Sequence, residues 1–477
     1  MQSRRDQVQA HLFVMGRVAA GVLRAEPDAP DTPVGRTNRG AVTGLVLALL
    51  IGAGAGVYGL VVPGGATGWK QPGTLVVAKE SGARYLYADG LLHPVLNEAS
   101  ARLLAGDRLR VEQVSERSLA GAGRGVPVGI VGAPDGLPAA DAVGGTDWQV
   151  CSVRASGTAT AAPLLSVGVG LRQPGRDAGE RGVLATTPDG GLHLLWHGRR
   201  SAVDPAAVHA LGWAAATPVP VTAAFLGAFP AGPDLRAPEV PGRGGAGPVL
   251  SGQPTRVGQL FAGLGEERWL LTEQGLAPLT ATQLALLLGD PRTQRDAYGG
   301  GRVAAAPVGA ADLAAHTAPA AKAADPAGLP ARPPELLPTT ADRALCAALR
   351  PGEDGELALT VPDSATVLGL PPALQPGVLP SCAPADRIAV RPGGGALVRA
   401  LAGGGYGSTL YLVTDTGVKY PLASPAVAEQ LGYGKAAPSG VPSRLLSLLP
   451  TGPSLDPGPL AGGVVQPPAA AEGRCAK

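Results

Sequence analysis

Residues 41–62, AVTGLVLALLIGAGAGVYGLVV, run for 22 positions without a charged side chain. As a helix rising about 1.5 Å per residue, they span the roughly 30 Å hydrocarbon core of a bilayer. Lipid forces a backbone to bond within its own segment. Gly52, Gly54, Gly56 and Gly59, which would weaken a helix in water, are therefore tolerated. Gly52 and Gly56 stand four apart, a spacing that reads either as part of a Gly-rich anchor or as a close-packing face for a second helix. The run is too long, and starts too far into the chain, for a cleaved signal peptide. Arg4, Arg5, Arg17, Arg24, Arg36 and Arg39 precede it, whereas only Lys70, Lys79 and Arg84 follow closely. The positive-inside rule puts the N-terminus in the cytosol and the long remainder outside, a single-pass inner-membrane topology. A purely soluble cytosolic enzyme is not expected.

Ahead of the span, Val8, Leu12, Met15, Val18 and Val22 recur at helical spacing among Arg4, Arg5 and Arg24. This predicts an amphipathic helix that either lies on anionic lipid or docks on the cytosolic ends of partner subunits. Across the chain, 71 Gly and 48 Pro approach the proportion found in disordered sequences. A hydrophobic share of 45% argues the other way, leaving enough aliphatic side chain for a core or two. A formal net charge of +2 gives no field to draw nucleic acid, and none is expected as a partner.

Past the membrane the chain repeats itself. One unit reads as a strand, a tight turn with Gly, a second short strand and a short helix. The first copy carries Asp89-Gly90 in its turn, then LHPVLNEASARLLAGD over residues 92–107; the third carries Glu273-Gln274-Gly275, then APLTATQLALLLGD over 277–290. DPAAVHALGW at 204–213 matches SPAVAEQLGY at 424–433 with an offset of 220, and PAGPDL at 230–235 matches PTGPSL at 450–455 with the same offset. The fourth copy turns at Asp415-Thr416-Gly417. The expected fold is α+β and β-rich: an elongated extracytoplasmic body of four small βα repeats around a central β domain, duplicated about a pseudo-two-fold axis.

The boundaries follow from these units: a cytosolic arm at 1–40, the transmembrane helix at 41–62, and repeats at 63–108, 183–245, 252–302 and 400–460. Residues 109–182 and 303–399 supply the central domain, with 304–334 expected as a surface loop with a helical turn, and 461–477 form a tail. Strand-like runs in the spacers are VPVGIVGA (126–133), LLSVGVGL (164–171) and RIAVRPGGGALVRAL (387–401). The PxGPxL pair reads as rigid extended connectors. Cys151 and Cys346 occupy comparable places in the two halves. Outside the cytosol an even cysteine count reads as disulfides, pairing Cys151 with Cys346 and leaving Cys382 with Cys475.

Several stretches carry a resemblance over essentially the whole chain: RDQVQAHLFVMGRVAAGVLR (5–24), the single span, LHPVLNEASARLL (92–104), GVPVGIVGAPDGLP (125–138), ADRIAVRPGGGALVRA (385–400) and LVTDTGVKYPLASPAVAEQLGYG (412–434). The chain resembles the EccB family, membrane core components of the type VII (ESX) secretion system of actinobacteria. The resemblance implies a cytosolic N-terminus, one transmembrane helix, four periplasmic repeat domains around a central β-rich domain, and a disulfide whose matching residues are Cys151 and Cys346. As partners it implies the EccC ATPase, EccD, EccE, the mycosin protease and sister copies of the chain, assembled into an export channel for small helical-hairpin proteins. ATP hydrolysis has been ascribed to some members.

The residues themselves do not offer that chemistry. A phosphate-binding GxxxxGK[ST] loop is missing: Gly432-Tyr-Gly-Lys435 is followed by Ala, and Gly65-Ala-Thr-Gly68-Trp-Lys70 has the wrong spacing. There is no GxSxG elbow. His193 and His197 in HLLWH fall on an expected strand, about 13 Å apart, too far to share one zinc. Asp89, Glu273 and Asp415 favour turns for local reasons. His93 reads as a hydrogen-bonded packing residue at the turn into the first repeat helix, and Trp69, Trp269 and Tyr433 as repeat core. No catalytic residue, metal site or cofactor is therefore expected. The expected role is a structural and assembly subunit, against two alternatives: an extracytoplasmic nucleotide hydrolase and a cell-wall-binding anchor.

Overall fold

A computed structural model describes residues 4–25, 33–61, 67–144, 147–154, 161–171, 175–319, 329–349, 355–372, 374–402 and 405–466. The chain divides into two compact units, Met1–Pro94 with Arg110–Gly125, and Val95–Leu109 with Val126–Lys477.

The first unit opens with two helices, Arg4–Arg24 and Pro33–Val61. The second starts well ahead of the apolar run expected at 41–62. Proline is favoured at the first helical position, where its missing N–H is not needed, and Thr37 to Arg39 then carry the helix into the apolar segment. Val62 lies outside the described residues. A four-stranded sheet follows, built from Thr74–Ala78, Arg84–Ala88, Leu91–Pro94 and Arg110–Val114 in the spatial order third, second, first, fourth. The first three strands are antiparallel and the fourth returns parallel to the first. Trp69, Val76, Ala78, Leu92, Val114 and Leu119 form its core, with Trp69 edge-on to Tyr87.

The second unit contains three more sheets of the same order and sense. Their strands are Val183–Thr186, Leu192–Trp196, Arg199–Ala202 and Val219–Pro220; Leu260–Ala262, Arg268–Thr272, Gly275–Pro278 and Ala306–Pro307; and Ala396–Ala402, Gly405–Val413, Lys419–Pro421 and Ser439–Pro442. In each copy a short helix follows the third strand: Glu98–Ala105, Pro205–Ala210, Ala281–Leu288 and Pro425–Gln430. Asn97, Asp204 and Thr280 cap three of these helices with side-chain oxygens, the signal that starts a helix at each point. The PxGPxL segments lie along the outer edge of the third strand. Prolines lack the N–H, so Gly232 and Gly452 supply it, donating to the carbonyls of Arg200 and Lys419 at 2.7 and 2.9 Å.

Between the repeats runs a six-stranded sheet in the order Arg387–Val390, Pro163–Val169, Trp148–Arg154, Leu345–Leu349, Leu357–Val361, Arg176–Asp177. Its strands come from both spacers. Alternation along Trp148–Arg154 sends Trp148 and Val150 to one face, where Phe225, Phe229, Leu445 and Leu449 from the second and fourth repeats cover them. Cys151 and Val153 take the opposite face with Cys346 and Val367.

Five expectations are corrected. The closing strands Arg110–Val114 and Ala306–Pro307 lie beyond the ends assigned to the first and third repeats at 108 and 302; they are short parallel strands with too little alternation to read. The helix Glu98–Ala105 belongs to a different unit from the sheet it follows, because Ala99 and Leu103 bury against Leu412, Val427, Leu431 and Tyr433 of the fourth repeat. The run at 387–401 is two strands. Pro392 and Gly393 to Gly395 break it, so Arg387–Val390 edges the central sheet while Ala396–Ala402 starts the fourth repeat, ahead of its assigned start at 400. Of 126–133 only Gly129–Ile130 is strand, paired with Val464–Val465 rather than with the central layer. Within 304–334, Ala310–His316 is helix and Val308 is buried beneath the third repeat; residues 320–328 lie outside the described residues.

Candidate assembly surfaces

The membrane helix exposes its apolar side chains along its length: Leu45, Leu49, Leu50 and Ile51 are each more than half exposed. A Cβ built on Gly52 or Gly56 meets nothing within 4 Å. The pair therefore forms an open strip where another helix backbone can approach. The stretch Thr37–Gly59 is long and apolar enough to cross a bilayer. On the arm, Val8, Leu12, Met15, Val18 and Val22 are exposed, and so are Phe13, Val14 and Leu23. Apolar surface thus extends past the single stripe read from the spacing. Ala20 is buried where the arm meets the membrane helix.

Cys151 and Cys346 stand directly opposite one another on adjacent antiparallel strands and are joined as a disulfide across 195 residues of sequence. Both are buried, at 1% and 0% exposure. The bridge ties the two halves of the duplication at the middle of the central sheet. Of the second expected pair, Cys382 with Cys475, Cys475 lies outside the described residues.

Asp89 and Gly90 occupy the reversal between the second and third strands of the first sheet, both in the left-handed region (φ 52° and 79°). Glu273 and Gly275 sit at the matching reversal of the third sheet, and Asp415 and Gly417 at that of the fourth. The backbone explains the glycines: Gly275 and Gly417 also have positive φ. Asp415 accepts from the Gly393 N–H at 2.9 Å, a local tie. These acidic residues lie on three separate sheets.

Chemistry-bearing clusters are already internally paired. Asp290 accepts hydrogen bonds from Arg243, from Thr293 at 3.2 Å and from Arg292 at 3.3 Å, and Arg292 also reaches Glu239 at 2.7 Å. Burial opposes ionisation of Asp290, but the Arg243 hydrogen bond and charge outweigh it and hold the carboxyl below its ordinary range. An open cleft of about 370 Å³ beside this network is lined by Asp204, Arg236, Glu239, Asp290 and Arg292. Arg292 is spent on the two carboxylates, and Arg243 on Asp290 and the Pro238 carbonyl. His193 lies on its strand, whereas His197 falls just past it in a left-handed turn, stacked on Trp196 and 3.0 Å from Glu180. Among the described residues no group of three His, Cys, Asp or Glu is placed to hold a metal. Trp69 and Tyr433 are core residues and Trp269 is half-buried. His93 lies on the third strand of the first sheet, against Gly125. Reading the sequence missed the buried Asp290 network, whose only signal was the Asp that ends the repeat helix.

Over residues 1–459 the chain matches the family described as type VII secretion system ESX-1, transport TM domain B. It is 29% identical to the ESX-3 secretion system ATPase EccB3 of Mycolicibacterium smegmatis, covering 95% of this chain and 89% of that protein. Against the ESX-2 secretion system ATPase EccB2 of Mycobacterium tuberculosis the identity is 27%, covering 95% and 93%. The solved structure of the EccB3 dimer from the ESX-3 core complex superposes with a TM-score of 0.63 at 25% identity, covering 81% of this chain and 99% of that one. The chain in the intact ESX-5 inner membrane complex shares the fold, with a TM-score of 0.63 at 24% identity and coverage of 99% and 97%. The chain belongs to the EccB family of type VII secretion membrane proteins.

Proposed function

We propose that this protein is a structural and assembly subunit of a type VII secretion complex of the inner membrane. The N-terminal arm is cytosolic, and the repeat-built body forms part of the extracytoplasmic vestibule. The observation that carries this reading is the architecture: one apolar helix with an open Gly52/Gly56 strip joined to a repeat body whose polar clusters are spent on internal pairing. The repeats are those assigned from the sequence, with the first and third extended to the closing strands Arg110–Val114 and Ala306–Pro307 and the fourth starting at Ala396, and the two spacers form the central domain. The partners are sister copies, the EccC ATPase, EccD, EccE and the mycosin protease. The similarity to a dimer from an ESX-3 core complex supports self-association. The relatives' names call those EccB proteins ATPases; in this reading hydrolysis belongs to the EccC partner and not to this chain.

Deletion of the gene in its own host tests this. Export of small helical-hairpin substrates should stop and return with the wild-type gene, and a phosphatase fused after residue 466 should be active outside the cytosol. Undiminished export, or a phosphatase active only in the cytosol, would refute the proposal.

A further inference from the structure

We infer that the outer edge of the central sheet, anchored on Leu370 with Leu368 and Leu374 beside it, is a contact face on which a second copy of this chain docks. One row of directly opposed residues crosses a face of that sheet: Leu359, Ala347, Val150, Val167, Ile388 and Leu370. Opposed residues on neighbouring strands share a face, so these six form one apolar stripe. The first five are buried, Ile388 at 7% exposure, whereas Leu370 is 77% exposed. Cover from the chain itself ends at Ile388, which lies so close beneath Gly417 of the fourth repeat that a Cβ there would strike it. The core face thus runs one residue past its own covering.

Leu370 is held in place, not carried on a loose loop. Its N–H donates to the Ile388 carbonyl at 3.0 Å, and its carbonyl accepts from the Ile388 N–H at 2.8 Å. The Ser166 hydroxyl donates to the Val367 carbonyl at 2.6 Å and accepts from the Gly369 N–H at 3.4 Å. Gly369 lies flat on the edge, where a Cβ would overlap the Ile388 backbone. Leu368, two residues back, and Leu374 are exposed as well. A fixed apolar patch in water gains free energy when another surface covers it. Three features specify that surface. Pro371 and Pro372 have no N–H to offer, so the contact is made between side chains and not by adding a strand. Residues 364–385 carry no charged side chain, so the patch meets its own image without opposing like charges or burying an unpaired one. At a sheet edge, a two-fold axis brings each Leu370 onto its counterpart. This inference rests on the self-association in the proposed function and names the face that makes it.

The test compares full-length wild type with Leu370→Glu in mild detergent by sedimentation velocity. Wild type should self-associate, and Leu370→Glu should raise the dissociation constant by about 10-fold or more, with thermal unfolding unchanged because the side chain is exposed. Leu370→Ser should weaken association in the same direction without adding a charge. Leu370→Cys, oxidised in its own membranes, should give a cross-linked dimer on a non-reducing gel, whereas Leu264→Cys, at a similarly exposed leucine of the third repeat, should not. A monomeric wild type would overturn the self-association reading and this inference with it. Equal self-association in wild type and Leu370→Glu, with no cross-link through position 370, would overturn this inference alone. So would equal self-association accompanied by loss of a copurified membrane subunit from Leu370→Glu, which would make that subunit the occupant.

Discussion

Replacing both Cys151 and Cys346 with alanine removes the disulfide that links the two halves of the central sheet. Cross-linking residues 195 apart withdraws loop-closure entropy from the unfolded chain, and the chain-entropy relation gives about 5 kcal/mol for a loop of that size. Both sulfurs sit among Val153, Ala344 and Val367, so alanine leaves no unsatisfied hydroxyl in the core, as serine would. The expected loss is therefore about 3–5 kcal/mol, a large fraction of the stability of an ordinary domain. Trp148 begins the strand that carries Cys151 and is 1% exposed, so a variant keeping it as the sole tryptophan reports the central sheet itself. Guanidinium titration of the full chain in detergent, read at tryptophan emission, should show the midpoint falling in the alanine variant. Wild type treated with reductant under unfolding conditions should fall at least as far, since Cys382 is disulfide-bonded as well. A midpoint unchanged to within the equivalent of about 1 kcal/mol would refute the claim that the bridge, rather than strand pairing alone, holds the halves together.

Three further outcomes follow from packing and charge. Gly52→Leu with Gly56→Leu should leave the chain folded and membrane-inserted, since a Cβ there meets nothing within 4 Å, while reducing recovery of partner subunits in mild detergent. Asp290→Asn strips Arg243 of its buried counter-charge and should cost about 3–5 kcal/mol in thermal or denaturant unfolding; a loss under 1 kcal/mol would mean the pair is idle. Burial pushes the Tyr420 hydroxyl up to about 12, only partly offset by its hydrogen bond with Thr416. Because the folded state resists deprotonation, the contribution of Tyr420 to stability is complete below pH 10 and falls by roughly 2–3 kcal/mol between pH 10 and 12. Tyr420→Phe should make that part of the alkaline denaturation curve less steep, the remaining slope coming from the Tyr433 hydroxyl, which burial also pushes up.

How legible each feature was depended on how much sequence it occupies. The membrane helix needs more than twenty apolar residues and is plain to see, whereas its start at Pro33 rests on a polar turn that hydropathy does not register. The paired PxGPxL segments were visible because two prolines and a glycine are required at once: Gly232 and Gly452 must donate where the prolines cannot. The closing parallel strands Val219–Pro220 and Ala306–Pro307 are two residues long, too short for a period to show. The disulfide could be paired from position alone because Cys151 and Cys346 fall at matching places in a duplicated chain. Asp290 and Arg243 are 47 residues apart; such an association exists only once the sheets have packed.

The central claim is that this chain works as a structural part of a larger secretion complex. Purifying tagged protein from its own membranes in mild detergent, with mass spectrometry and nucleotide turnover of what elutes, tests it most directly. The account predicts that the EccC ATPase, EccD, EccE and the mycosin protease coelute in reproducible ratio, and that turnover disappears with a Walker-lysine variant of the ATPase. Recovery of the chain alone, at one defined size and hydrolysing nucleotide, would contradict it.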